Sequence, residues 1–149
     1  MSGFVELIAR AKASGDIQGL VDAIPYHAYL GIRAREENGA LIATLPRNEK
    51  TIGNPVLPAI HGGVIGAFLE TTAIFHLLWT GQTVHVPKTI TITVDYMRSA
   101  GVTDTYAKAS ITKLGSRVAN VRARAWQDDP ERPVAAVNAN FLIKPAEDG

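Results

Sequence analysis

Residues 61–78 read His-Gly-Gly-Val-Ile-Gly-Ala-Phe-Leu-Glu-Thr-Thr-Ala-Ile-Phe-His-Leu-Leu, so one carboxylate, Glu70, stands in a largely apolar stretch opened by two glycines. An acid taken out of water costs free energy unless something compensates it. Glu70 is therefore the first candidate for proton transfer. Gly62 and Gly63 carry no side chains and let a ligand come close to the backbone. A helix beginning there would present N–H groups that lack intrahelical acceptors, at the positive end of its dipole. That arrangement stabilises an oxyanion. A bare loop-to-helix junction and a satisfied buried carboxylate are the plainer readings of the same residues.

Spacing constrains the chemistry. Glu70 follows Gly62 by eight residues, which is about 12 Å of helix rise. One carbonyl cannot touch both groups within a regular helix. Either the helix starts late, or a site takes Gly62 from one subunit and Glu70 from another. The second option predicts a two-fold dimer with two equivalent sites.

Other chemistries find less support. His61 is placed to fix the loop by hydrogen bonds. Thr71 and Thr72 can bond back to the helix or to a neighbouring carboxylate. His27, His76 and His85 show no ligand spacing, so no metal site is expected. The serines lack a nucleophile-elbow signature, and the glycines at 62, 63 and 66 match no phosphate-loop or dinucleotide pattern. With no cysteine in the chain, a disulfide scaffold, a zinc–thiolate site and a thiol nucleophile are excluded.

The positioning elements follow from patterning. The chain has 149 residues, 46% of them hydrophobic, enough for one domain with a real core. Fifteen Lys and Arg balance fourteen Asp and Glu without a basic block, so no nucleic-acid partner is expected. Residues 1–23 carry Glu6 and Asp16 and no long apolar run, so no signal peptide is expected. The stretch at 64–79 is broken by polar residues and falls short of a membrane span. A soluble cytoplasmic protein is the expectation.

A short helix is predicted over Phe4 to Ala13, and Pro25 limits any helix in 20–30. Strands are predicted over 29–34 and 39–45, joined at Asn38-Gly39, a tight-turn signal. Residues 46–60, punctuated by Pro46, Gly53, Pro55 and Pro58, read as a loop. The 61–79 helix, stopped by Gly81, is apolar on both faces and so is buried. Four strands are predicted over 85–96, 102–112, 117–127 and 134–143. In the first, Ile90, Ile92, Val94 and Tyr96 alternate with threonines and Asp95. The threonine face suits either solvent or a polar contact surface. Long antiparallel strands around one apolar helix make an α+β domain.

His61-Gly62-Gly63 with Glu70 resembles the hotdog-fold acyl-CoA thioesterases of the phenylacetate-degradation (PaaI-like) family. The likeness runs through Asn54-Pro55, Thr89 to Ala100, Lys113 to Arg117 and the Asn140 to Ile143 strand. It implies one hotdog domain over 1–149, a long central helix wrapped by a curved antiparallel sheet, with a short N-terminal helical segment at 1–23. It implies hydrolysis of an acyl-CoA thioester to a carboxylic acid and CoA, without cofactor or metal, in a homodimer or dimer of dimers with sites at the subunit interface. By the resemblance, the Gly62 amide polarises the carbonyl and Glu70 acts as general base or nucleophile. Thr89 lies near the reacting water, and His61 shapes the loop. Asn54 stands one residue before Pro55, where members often carry a polar helper, and many members have aspartate where this chain has Glu70. Gly63, Phe68, Arg98 and Arg117 are candidate substrate contacts, with Phe68 at the acyl group and the arginines at CoA phosphates. A non-catalytic acyl-CoA or fatty-acyl binding protein is the leading alternative. A dehydratase of the same fold would want a histidine and an acid together, and a purely structural dimer would have no pocket at the helix start.

Overall fold

Six antiparallel strands, in the order β1-β2-β6-β7-β8-β5, curve around the helix Gly62–Thr80 (α4). A computed structural model describes residues 3–81, 83 and 85–144. The ends of the domain expected over 1–149, residues 1–2 and 145–149, lie outside the described residues. The strands are Arg33–Glu37 (β1), Ala40–Leu45 (β2), Lys88–Tyr96 (β5), Thr105–Leu114 (β6), Val118–Trp126 (β7) and Ala135–Leu142 (β8). A two-stranded ribbon, Ile52–Asn54 (β3) with Ala59–Ile60 (β4), precedes the long helix.

The core lies between α4 and the inner face of the sheet. That face is rich in small residues, among them Ala107, Ala109, Ala123, Ala125 and Ala139, while α4 contributes Phe68, Leu69, Phe75, Leu77 and Leu78. Small against large lets an all-round apolar helix nest close to the strands. By length and composition Gly62–Thr80 could cross a membrane, with a mean hydropathy of 1.3. This corrects the expectation that the stretch falls short of a span. Most of it is buried inside the protein.

Three short helices, Gly3–Ser14 (α1), Ile17–Asp22 (α2) and Pro25–Leu30 (α3), precede the sheet. Gln18 ties α2 to β1: its amide donates to the Ile32 carbonyl and accepts from the Ala34 N–H. The strand expected at 29–34 is corrected. Pro25 opens a helix at its first turn, and Gly31, at φ 74°, ends it in the left-handed conformation. The chain becomes extended only at Arg33. Asn38 (φ 52°) and Gly39 (φ 80°) form the tight turn into β2 as expected. The 46–60 loop holds a 3₁₀ turn at Glu49–Thr51 and the β3–β4 ribbon.

The even alternation expected along 85–96 also fails at one point. Pairing of β5 with β8 shifts between Thr89 and Thr91. A bulge of this kind adds a residue to one strand and re-aims side chains. Thr89 turns to α4, Ile90 is left 53% exposed, and Ile92 and Val94 resume packing on the core.

Candidate active site

The start of α4 is built tightly. His61 is its N-cap, and the His61 Nδ1 accepts from the Gly63 N–H at 2.8 Å. The His61 carbonyl accepts from the Val64 and Ile65 N–H groups, and its own N–H donates to the Thr51 carbonyl. The ribbon approaches so closely that a Cβ on Gly53 would sit 2.6 Å from the His61 Cα, so only glycine fits there. These bonds leave one amide over. No described residue accepts from the Gly62 N–H.

Gly62 is also held through its other peptide, the one it forms with Gly63. The Tyr96 hydroxyl donates to the Gly62 carbonyl at 2.8 Å, and the Tyr96 ring lies 3.3 Å from where a Gly62 Cβ would project. A cleft of about 390 Å³ opens here, lined among others by Gly62, Ile65, Tyr96, Met97, Arg98 and Ser99. The free N–H thus belongs to a concave surface at the positive end of a helix of 19 residues. The role of Tyr96 in holding the Gly62 carbonyl has no signal in the sequence.

Glu70 lies half-buried along the same helix. Its Oε2 accepts from the Thr89 hydroxyl at 2.7 Å. The β5 bulge makes this contact possible, because regular alternation would send Thr89 to the opposite face. With one oxygen so occupied, Oε1 retains its capacity to accept a proton. The helix is regular from Gly62, so the late-start option is excluded. Within one chain the Gly62 amide and Glu70 stand about 12 Å apart along the axis.

His27, on α3, joins this region unannounced. Its Nε2 lies 3.1 Å from the Thr71 hydroxyl, which itself donates to the Ala67 carbonyl. Since the threonine proton is committed, Nε2 must be the donor. The ring edge packs on Phe75. Burial pushes the His27 pKa below the usual histidine value. The Val21 carbonyl and the Glu70 carboxylate pull it partly back. Burial, and then the charge of Lys108, push His76 down as well. Spacing could not reveal the His27 contact, because it joins residues 44 apart in sequence.

A lowered native pKa means that the folded state binds fewer protons than the unfolded state just below the unfolded value of about 6.5. Stability is therefore full above that pH and is lost as pH falls through the lowered native values. Thermal melts at neutral and mildly acidic pH will show a drop in Tm on acidification, and His27→Gln with His76→Leu will flatten it. An unchanged slope in the double variant would remove both histidines from the effect.

The remaining expected site residues divide. Arg98 lines the cleft beside Gly62 and donates to the Pro133 carbonyl. Gly63 is exposed next to it, its N–H spent on His61. The Asn54 Oδ1 accepts from the Val56 and Leu57 N–H groups, capping the β3–β4 turn and leaving its amide group to donate. Arg117 is exposed at the β6–β7 turn and does not line the cleft. Phe68 is fully buried in the core and does not line the cleft. Among the described residues no group of histidine and carboxylates could hold a metal.

Residues 57–134 match the family model described as the thioesterase superfamily. The chain belongs to the thioesterase superfamily. The architecture of this thioesterase-superfamily member is the hotdog fold, its long helix held in an antiparallel sheet. A protein of Chromobacterium violaceum is 35% identical, with 95% of this chain and 99% of that one covered and a TM-score of 0.79. Two more distant structures share the fold. One is a phenylacetic acid degradation-related protein of Ralstonia eutropha (22% identity, 87% and 97% covered, TM-score 0.73). The other, from Bacillus halodurans, was solved with CoA (19% identity, 99% and 97% covered, TM-score 0.75). No curated protein matches the chain. The span matched to the thioesterase superfamily holds Gly62, Glu70, Thr89 and Tyr96, and leaves His27 and Asn54 outside it.

Proposed function

We propose that this protein hydrolyses an acyl-CoA thioester to a carboxylic acid and CoA, at sites shared by two subunits. The observation that carries the reading is the unsatisfied Gly62 N–H in the cleft at the start of α4. The thioester oxygen accepts from it, and charge developing on that oxygen is stabilised by a donor that needs no rearrangement. Glu70 of the other subunit takes a proton from water as the water oxygen bonds to the carbonyl carbon. Collapse of the adduct breaks the C–S bond, and the proton returns to the departing CoA sulfur. In a second form of the step, the Glu70 carboxylate attacks the carbonyl carbon, the C–S bond breaks to release the CoA thiolate, and water then cleaves the anhydride to free the acid and Glu70, its spare proton going to the thiolate. In either form Thr89 holds Oε2, and Oε1 is the oxygen left to react.

A partner supplies what one chain lacks. The outer edge of β5 is unpaired among the described strands, and such an edge readily adds a strand from another copy. Antiparallel pairing of two β5 strands about a two-fold axis gives a homodimer, which can pair again into a tetramer. Membership of the superfamily and the CoA in the Bacillus halodurans structure support an acyl-CoA substrate. The Ralstonia eutropha protein supports including aromatic acyl groups in the test.

A thiol-release assay across short, medium, long and aromatic acyl-CoAs tests the reading. Turnover of at least one class is expected. Tight acyl-CoA binding with no thiol released from any of them would favour a non-catalytic carrier instead.

A further inference from the structure

The outer face of the sheet, opposite α4, gathers positive charge that the composition does not announce. Cross-strand partners share a face, so the register defines rows. One row crosses all six strands as Arg35, Ile42, Lys108, Arg124, Ala136 and Asp95. On one side of it run Arg33, Thr44, Tyr106 and Trp126, and on the other Ser110, Arg122, Asn138 and Thr93. These rows hold five cations against Asp95, with Glu37 beside Arg35 as a second acid on the same face, while the chain as a whole carries a net charge of only +1.

The charges are not neutralised where they stand. Arg35 pairs with Glu37, but Lys108, Arg122 and Arg124 have no carboxylate within ion-pair distance among the described residues. Lys108 and Arg124 are directly opposite one another, an arrangement that costs stability in an antiparallel pair. Arg124 also lies over the Trp126 ring, 6.0 Å from its centroid, which fixes its guanidinium. Between these side chains is a groove of about 540 Å³, lined by Lys108, Ser110, Arg122, Arg124, Asn138 and Asp95 among others. The Asn138 Oδ1 accepts from Asn120, so its amide N–H groups remain to donate.

We propose that this groove binds a small molecule carrying a diphosphate or similar polyphosphate group. Guanidinium forks match phosphate oxygens in shape as well as charge, and the hydroxyl of Ser110 and the amide of Asn138 add neutral donors. A concave space of this volume suits a small ligand. Stacking a second copy here would set cation against cation, so the charge pattern disfavours self-association through this face. The sheet separates the groove from α4, so it is distinct from the cleft at Gly62.

Calorimetric titration of the whole protein with inorganic pyrophosphate at low salt is the test, with ADP and CoA as further arms. Binding is expected, weakening as salt is raised. Arg122→Gln combined with Arg124→Gln should raise Kd by about tenfold or more, with melting temperature as the check on folding. Lys108→Gln alone should give a smaller shift in the same direction. Equal affinity for pyrophosphate, ADP and CoA supports recognition of the phosphates alone. Preference for the two nucleotides, still lost in the arginine variant, supports a nucleotide as their source. No binding up to about 1 mM, or binding unchanged in the variants, overturns the proposal. So does a change in oligomeric size caused by the substitutions, which would mean that another copy covers the face. Because the readout is binding heat and not thiol release, its result is independent of whether Glu70 supports hydrolysis.

Discussion

Glu70→Gln is expected to lower kcat for the proposed acyl-CoA hydrolysis by about 10²-fold or more, the usual effect of removing a positioned acid or base, and to leave the fold intact. The glutamine carbonyl oxygen can still accept from the Thr89 hydroxyl, so the contact that orients the side chain survives. What disappears is the ability to take up a proton or to attack as an oxyanion. Steady-state kinetics and thermal melts on the purified variant separate these effects. Equal turnover in the two proteins, with similar melting temperatures, would take Glu70 out of the mechanism. A fall in turnover that tracks a fall in melting temperature would make it a structural acid.

Phe68→Ala should cost about 3–5 kcal/mol of stability, the range for emptying a buried aromatic site. The side chain is fully buried in the core with its neighbours on α4. For a chain of this size each kcal/mol moves Tm by about 2–4 °C, so the variant should melt on the order of 10 °C lower. Chemical denaturation measures the loss directly. If Phe68 instead lined an acyl pocket, the substitution would shift acyl-chain preference with little change in stability. The position of Phe68 against the sheet and away from the cleft argues for the first outcome.

Much of this arrangement is legible in the sequence. An apolar helix with no polar face can only be a core helix in this architecture, and Asn38-Gly39 fixes the first hairpin. The glycine pair correctly marks the start of α4, though only Gly62 keeps its amide free, since the His61 ring takes the amide of Gly63. What is not legible depends on contacts distant in sequence or on small departures from regularity. Tyr26 to Leu30 has aromatic residues that suit a strand, but the Pro25 start and Gly31 stop make it one short helix. The period-two pattern of 88–96 runs straight through a bulge that it cannot reveal, and that bulge decides which threonine meets Glu70. His27 meets Thr71 only after the N-terminal helices have docked.

One strand grips the long helix at two places. Near the start of β5, Thr89 holds the acid, and at its end Tyr96 holds the carbonyl of Gly62, the residue whose own amide is free. Both reactive groups are thus indexed to the same stiff ribbon, and that ribbon is the margin open to another copy. In the proposed dimer, assembly along this margin and alignment of Gly62 with Glu70 are one mechanical event. Strain applied to the seam would be felt at donor and acid together, so tightness of association and catalytic competence should rise and fall in step.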